Sequence, residues 1–164
     1  MEHLTEREIR GSFVNGTRGD AQRMHLPDLT EQRWPGLDFL GWVDPKAPQQ
    51  SHLVLRDDDG APLGVHLRRN TSAAGLTRAR MCSLCCTTHP GSGVALMVAP
   101  RAGRAGRDGN TVGIEVCTDL RCSGYLRGWA PAPTVSLVHE TLSTEEQVAR
   151  LRRNLQDFVD RVRR

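Results

Sequence analysis

Met81-Cys82-Ser83-Leu84-Cys85-Cys86 and Cys117-Thr118-Asp119-Leu120-Arg121-Cys122 bracket the stretch whose reading decides the fold. The chain has five cysteines, and all of them lie within this stretch. Four form two close pairs, Cys82/Cys85 with CxxC spacing and Cys117/Cys122 with CxxxxC spacing. One tight turn can aim both sulfurs of such a pair at a single point. Two pairs then complete the tetrahedral shell of a closed, structural Zn²⁺ site. CxxC suits that turn better than CxxxC, so Cys86 reads as a small buried residue. His89, in a CxxxH relation to Cys85, is the alternative donor.

The elements between and after the pairs sharpen the reading. Gly93–Val98 and Thr111–Val116 have the pattern of two strands. Asp119 is placed to cap a short helix that carries Cys122, Tyr125 and Leu126 and stops at Gly128. Knuckle, hairpin, then a cysteine pair at a strand-to-helix junction is the treble-clef order. A zinc ribbon would need a strand after Cys122. Amides at a helix start also favour thiolate over thiol. A redox dithiol belongs in a βαβ setting, which this pattern lacks. Four cysteines leave no open position for catalytic zinc. With no Ser/His/Asp order, phosphate loop or close carboxylate pair, an enzyme is not expected.

Working outward, Thr5-Glu6-Arg7-Glu8 has the form of a capping box, and Leu4 and Ile9 can staple it. A helix from Glu6 to Thr17 is predicted. Pro27 and Pro35 interrupt the next segment, and Leu37–Trp42 reads as core. His52–Leu55 and Leu63–Leu67 flank Asp57-Asp58-Asp59-Gly60 as a hairpin, with His52 and His66 expected on an exposed face or sheet edge. Thr134–Val138 suggests a further strand. Ser143–Glu146 is a second capping box, opening a helix whose stripe of Val148, Leu151, Leu155, Phe158, Val159 and Val162 should dock on the sheet. The predicted class is α+β: an antiparallel sheet with N- and C-terminal helices around a treble-clef zinc finger. One domain is expected over residues 1–164, with the finger in 80–128.

Composition sets the remaining bounds. Of 164 residues, 38% are apolar and only 4% aromatic, so the core is modest and a metal staple useful. The net charge is +3, and Lys46 is the sole lysine. Such arginine usage alone does not make a nucleic-acid binder. Nothing at the start resembles a secretory leader, and Val94–Ala99 is far too short to cross a bilayer. A cytoplasmic setting is expected, where thiols stay reduced and bind metal rather than pair. Pro100–Asn110 reads as a flexible loop that carries Arg101, Arg104 and Arg107 among glycines. It is either a solvated tip or a contact for phosphate or an acidic partner.

Met81–Cys85, Ser92–Arg101, Gly109–Gly113 and Cys117–Cys122 resemble the FBP family. That family is named for the C-terminal treble-clef zinc finger of elongation-factor-G-binding proteins, FusB-type fusidic acid resistance proteins among them. The resemblance runs from the first helix to the last. It implies a cytoplasmic protein with one structural Zn²⁺ on Cys82, Cys85, Cys117 and Cys122. It also implies binding to elongation factor G and release of that factor from the ribosome. No membrane or DNA partner is implied. A separate N-terminal helical domain of the resistance-protein kind is not seen in the sequence, which moves the expectation toward ribosome turnover. Leu84, Tyr125, Arg127, Arg101, Arg104 and Arg107 are the candidate contacts. The alternative is a zinc finger that binds RNA or the ribosome through the arginine loop at 101–107.

Overall fold

Leu53, Val54 and Leu55 are buried at three successive positions of one strand, so the sheet that contains them is covered on both faces. The computed structural model describes residues 1–69, 78–131 and 140–164. Its strands are β1 (Leu40–Val43), β2 (Gln50–Arg56), β3 (Pro62–Arg69), β4 (Arg80–Met81), β5 (Thr88–His89), β6 (Val94–Pro100) and β7 (Thr111–Cys117). The helices are α1 (Glu6–Gly11), α2 (Arg18–Arg23), α3 (Gly103–Arg107), α4 (Cys122–Leu126) and α5 (Thr144–Arg163). Five strands form one antiparallel sheet in the order β1-β2-β3-β6-β7, and β4 and β5 form a separate short ribbon. The α+β class and its antiparallel sheet stand as expected.

Period-two alternation assigns the faces. Leu63, Val65 and Leu67 of β3 and Ile114 and Val116 of β7 share a core with Leu151, Leu155, Phe158, Val159 and Val162 of α5. Ser143 caps α5 and Glu146 reaches back to it, as the sequence predicted. Burying each of those α5 side chains is worth roughly 2 kcal/mol against leaving it in water. On the other face, Leu40, Trp42 and Val54 pack with Leu4 and Ile9 around α1 and with Ala21 of α2. The Asp57–Gly60 hairpin forms with Gly60 at φ +79°. Thr134–Val138 lies outside the described residues.

Two expectations are overturned here. The first helix ends at Gly11 rather than Thr17. Gly64 donates to the Ser12 carbonyl, Val14 donates to Gly64, and Asn15 bonds both the N–H and the carbonyl of His66. A Cβ on Gly64 would sit 2.6 Å from Ser12 Oγ, so the bare glycine admits this close pairing. The chain gains strand-like partners there, and Thr17 opens α2 with its own capping box to Asp20.

His52 and His66 are the second correction. His52 is only 1% exposed, its Nδ1 lies 2.9 Å from His66 Nδ1, and Phe13 stacks on the His66 ring at 4.0 Å. The pair is sandwiched between the sheet and the N-terminal segment instead of lying open, because Phe13 and Trp42 supply aromatic cover.

Candidate metal centre

The first cysteine pair sits on the β4–β5 turn. Cys82 N–H donates to the Thr87 carbonyl and Cys86 N–H to the Cys82 carbonyl, closing the turn around Cys82 Sγ. The amides of Leu84 and Cys85 point at that sulfur from 3.4 and 3.5 Å. Such N–H···S contacts stabilise charge on sulfur. Cys86 leaves the turn at φ +60°, half-buried and aside from the cluster, where burial pushes its thiol up. It is thus less buried than the sequence suggested.

The second pair is set by β7 and α4. Cys117 is the last residue of β7, in register with Val94, and Cys122 is the first of α4. Between them Leu120 takes φ +57°, and its N–H returns to the Cys117 carbonyl. Asp119 does not cap α4 in the way expected. One oxygen accepts from Arg121 N–H, and the other accepts from the Tyr125 hydroxyl at 2.7 Å. Gly128, at φ +72°, ends the helix segment as predicted. Knuckle, hairpin and helix therefore stand in treble-clef order.

The four sulfurs converge in the core. Cys82, Cys85, Cys117 and Cys122 are all buried, and their Sγ atoms lie within 4.8 Å of one another. Cys82 and Cys122 are 3.7 Å apart, and Cys85 and Cys117 are 3.6 Å apart. Tetrahedral coordination with Zn–S bonds of about 2.3 Å places sulfurs about 3.8 Å apart, so this donor set fits Zn²⁺. Four thiols alone would be an awkward cluster. Hydrogen bonds from Cys117, Cys122 and Cys85 hold Cys82 well below the usual thiol range. The bonds Cys122 makes to Cys117, Cys82 and Cys85, together with burial, push it well above. Sulfurs this close and this buried repel one another as thiolates, and a divalent cation among them offsets that repulsion.

His89 lies against this cluster without joining it. It is buried, its Nε2 is 3.2 Å from Cys117 Sγ, and it meets Tyr125 edge-on at 4.8 Å. Burial lowers its pKa, and in the tautomer that carries the proton on Nε2 the ring donates to the sulfur. Thr87 Oγ1 lies 3.3 Å from Cys85 Sγ and was not anticipated from the sequence. Its only signal is a hydroxyl two positions past a cysteine.

The candidate contact residues scatter. Leu84 is fully buried, and its carbonyl accepts from Asn154 of α5, which removes it from the surface. Arg127 forms a two-pronged ion pair with Asp38 at 2.6 and 3.1 Å, which occupies its guanidinium inside the molecule. Tyr125 is half-buried over His89. Arg101 donates to the Arg161 carbonyl at 2.9 Å, while Arg104 and Arg107 are exposed. The loop that bears them is an ordered turn containing α3 rather than a flexible loop, because Arg101 N–H closes onto Asn110 and Asn110 N–H onto Ala105.

Sheet, knuckle and cysteine cluster define a treble-clef zinc protein. The chain belongs to the FBP C-terminal treble-clef zinc-finger family, whose model matches residues 8–162. One structural Zn²⁺ per chain follows from that family and from the four buried cysteines. Among solved structures, that of the fusidic acid resistance protein FusC is similar in fold, with a TM-score of 0.55 and 14% sequence identity. The match covers 85% of this chain and 51% of FusC, so the chain spans about half the length of that protein. No curated protein matches the chain significantly in sequence. Among the described residues, no helix is long and apolar enough to cross a membrane.

Proposed function

We propose that the protein is a cytoplasmic, non-catalytic partner of the translational GTPase elongation factor G, and that it promotes release of the factor from the ribosome or its turnover there. Family membership over residues 8–162 supports this reading, and so does a fold shared with a fusidic acid resistance protein. Cys82, Cys85, Cys117 and Cys122 are the zinc ligands in this proposal, and the metal's role is mechanical. It pins the knuckle to the start of α4 and holds the surface around them rigid for docking. The observation that carries the non-catalytic part is the closed set of four buried sulfurs, which leaves no coordination position for a substrate.

Retention of purified elongation factor G on the immobilised, zinc-loaded protein tests the proposal. The wild type should retain the factor, and a Cys82→Ser/Cys85→Ser variant should not. Failure of the zinc-loaded wild type to retain it, with or without ribosomes, would overturn the assignment.

A further inference from the structure

The turn between β6 and β7 is built to present arginines. Gly103 and Gly109 adopt φ +64° and +89°. A Cβ on Gly106 would lie 1.8 Å from the Arg101 carbonyl oxygen, so the third glycine is also required. Each glycine of the Arg-Ala-Gly-Arg-Ala-Gly-Arg-Asp-Gly run thus has a conformational or steric reason, and the arginines fall between them. The backbone is closed by Asp108 onto Arg104, Gly109 onto Gly106 and Asn110 onto Ala105. The side chain of Arg104 is 88% exposed, with Asp108 at a loose 3.6 Å, and Arg107 is exposed as well.

This turn docks on the end of α5. Ala102 N–H donates to the Val162 carbonyl at 2.7 Å, and Arg101 Nη1 to the Arg161 carbonyl at 2.9 Å. These bonds bring the turn beside Arg161, Arg163 and Arg164, all exposed. Two segments far apart in sequence therefore form one basic edge. Asp108, Asp157 and Asp160 are the acidic side chains on the same two segments. Asp160 accepts from the neutral Gln156 amide and keeps its charge, but five arginines against these three aspartates still leave the edge basic.

The residues between the arginines of the turn are alanine and glycine, and the one apolar side chain at this end of α5, Val162, is fully buried. A protein hot spot ordinarily centres on an aromatic or apolar anchor. A polyanion needs none, and small residues let its backbone approach closely. We infer that this edge, formed by Arg104 and Arg107 with Arg161, Arg163 and Arg164, binds the phosphate backbone of RNA. The inference stands independently of the elongation-factor reading.

Fluorescence anisotropy with a labelled RNA hairpin of mixed sequence tests it on the zinc-loaded chain. Binding should weaken steeply between about 50 and 200 mM salt, with a log–log slope of about −4 for five neutralised phosphates, one per arginine of the edge. Arg104→Ala/Arg107→Ala and Arg163→Ala/Arg164→Ala should each reduce the magnitude of that slope by about 1.5, with zinc content and melting temperature unchanged. Arg7→Ala, on exposed α1, should bind as wild type does. Absence of RNA binding at low salt, or a slope near zero, would sink the inference. So would paired variants that bind RNA as the wild type does. If those variants instead lost elongation factor G while the wild type ignored RNA, the edge would be a docking site for an acidic protein.

Discussion

His52 and His66 face each other across β2 and β3 with a ring-to-ring contact that holds one proton between two Nδ1 atoms. Both Nε2 atoms are buried without a hydrogen-bond partner. Burial first, with His66 adding charge repulsion on His52, lowers both pKa values to about 4. In the unfolded chain each ring takes up its proton near pH 6.5. Between about pH 4 and 6.5 the unfolded state therefore binds more protons. Stability is fully present above this window and falls as pH drops through it, by about 1.4 kcal/mol per pH unit for each ring. Urea titrations between pH 7 and pH 5 should show a clearly shallower decline for His66→Gln than for wild type. Equal slopes would assign the acid sensitivity to other groups. The pattern of polar residues in a strand could place these histidines opposite each other but could not bury them, because Phe13 arrives from a segment the sequence assigned to a helix.

At the scale of elements, Asp38 is the tie between β1, α4 and α5. Its side chain is fully buried and receives Arg127, Arg152 and the Ser123 hydroxyl. Burial pushes its carboxyl up, yet the bonds from Arg127, Arg152 and Ser123 outweigh that and leave it below the usual range. Asp38→Asn keeps the volume and removes the charge, which strands the half-buried Arg127 guanidinium. The expected loss is about 3 kcal/mol in urea unfolding, with zinc still bound. Asp58→Asn, on the exposed hairpin, should change stability by less than about 0.5 kcal/mol. Comparable losses in the two variants would remove the special role of Asp38. Element identity was largely legible in the sequence: the capping boxes, the Asp57–Gly60 turn and the α5 stripe each carry a local physical signal. The end of α1 was not, since Ser12–Asn15 bond to β3, a strand some fifty positions later. Long-range partners of that kind leave no trace in helical periodicity.

For the whole molecule, the cysteine cluster joins parts that the sheet alone leaves loosely related. Structural zinc sites contribute about 10–16 kcal/mol of apparent binding free energy in isolated fingers, as much as the entire stability of an ordinary domain. Removal of the metal with a strong chelator should therefore lower the melting temperature and release hydrogen-exchange protection across residues 80–128. Added Zn²⁺ should restore both. A chelated protein with unchanged protection there would refute a structural metal. The cluster of four cysteines was legible because cysteine spacing is a geometric statement in itself. The surface was not: Leu84 and Arg127 look like contacts in sequence, yet each is spent on internal packing that only the fold reveals.

Cys117 reaches the cluster because β7 pairs with β6 so that Val94 lies opposite it. A slip of one residue between these strands would keep most of the ladder hydrogen bonds but turn every side chain of β7 to the other face. Cys117 would then point away from Cys82 and Cys85, and the shell could not close. Zinc binding thus depends on the register of this hairpin, because a misaligned one could not bring all four sulfurs together.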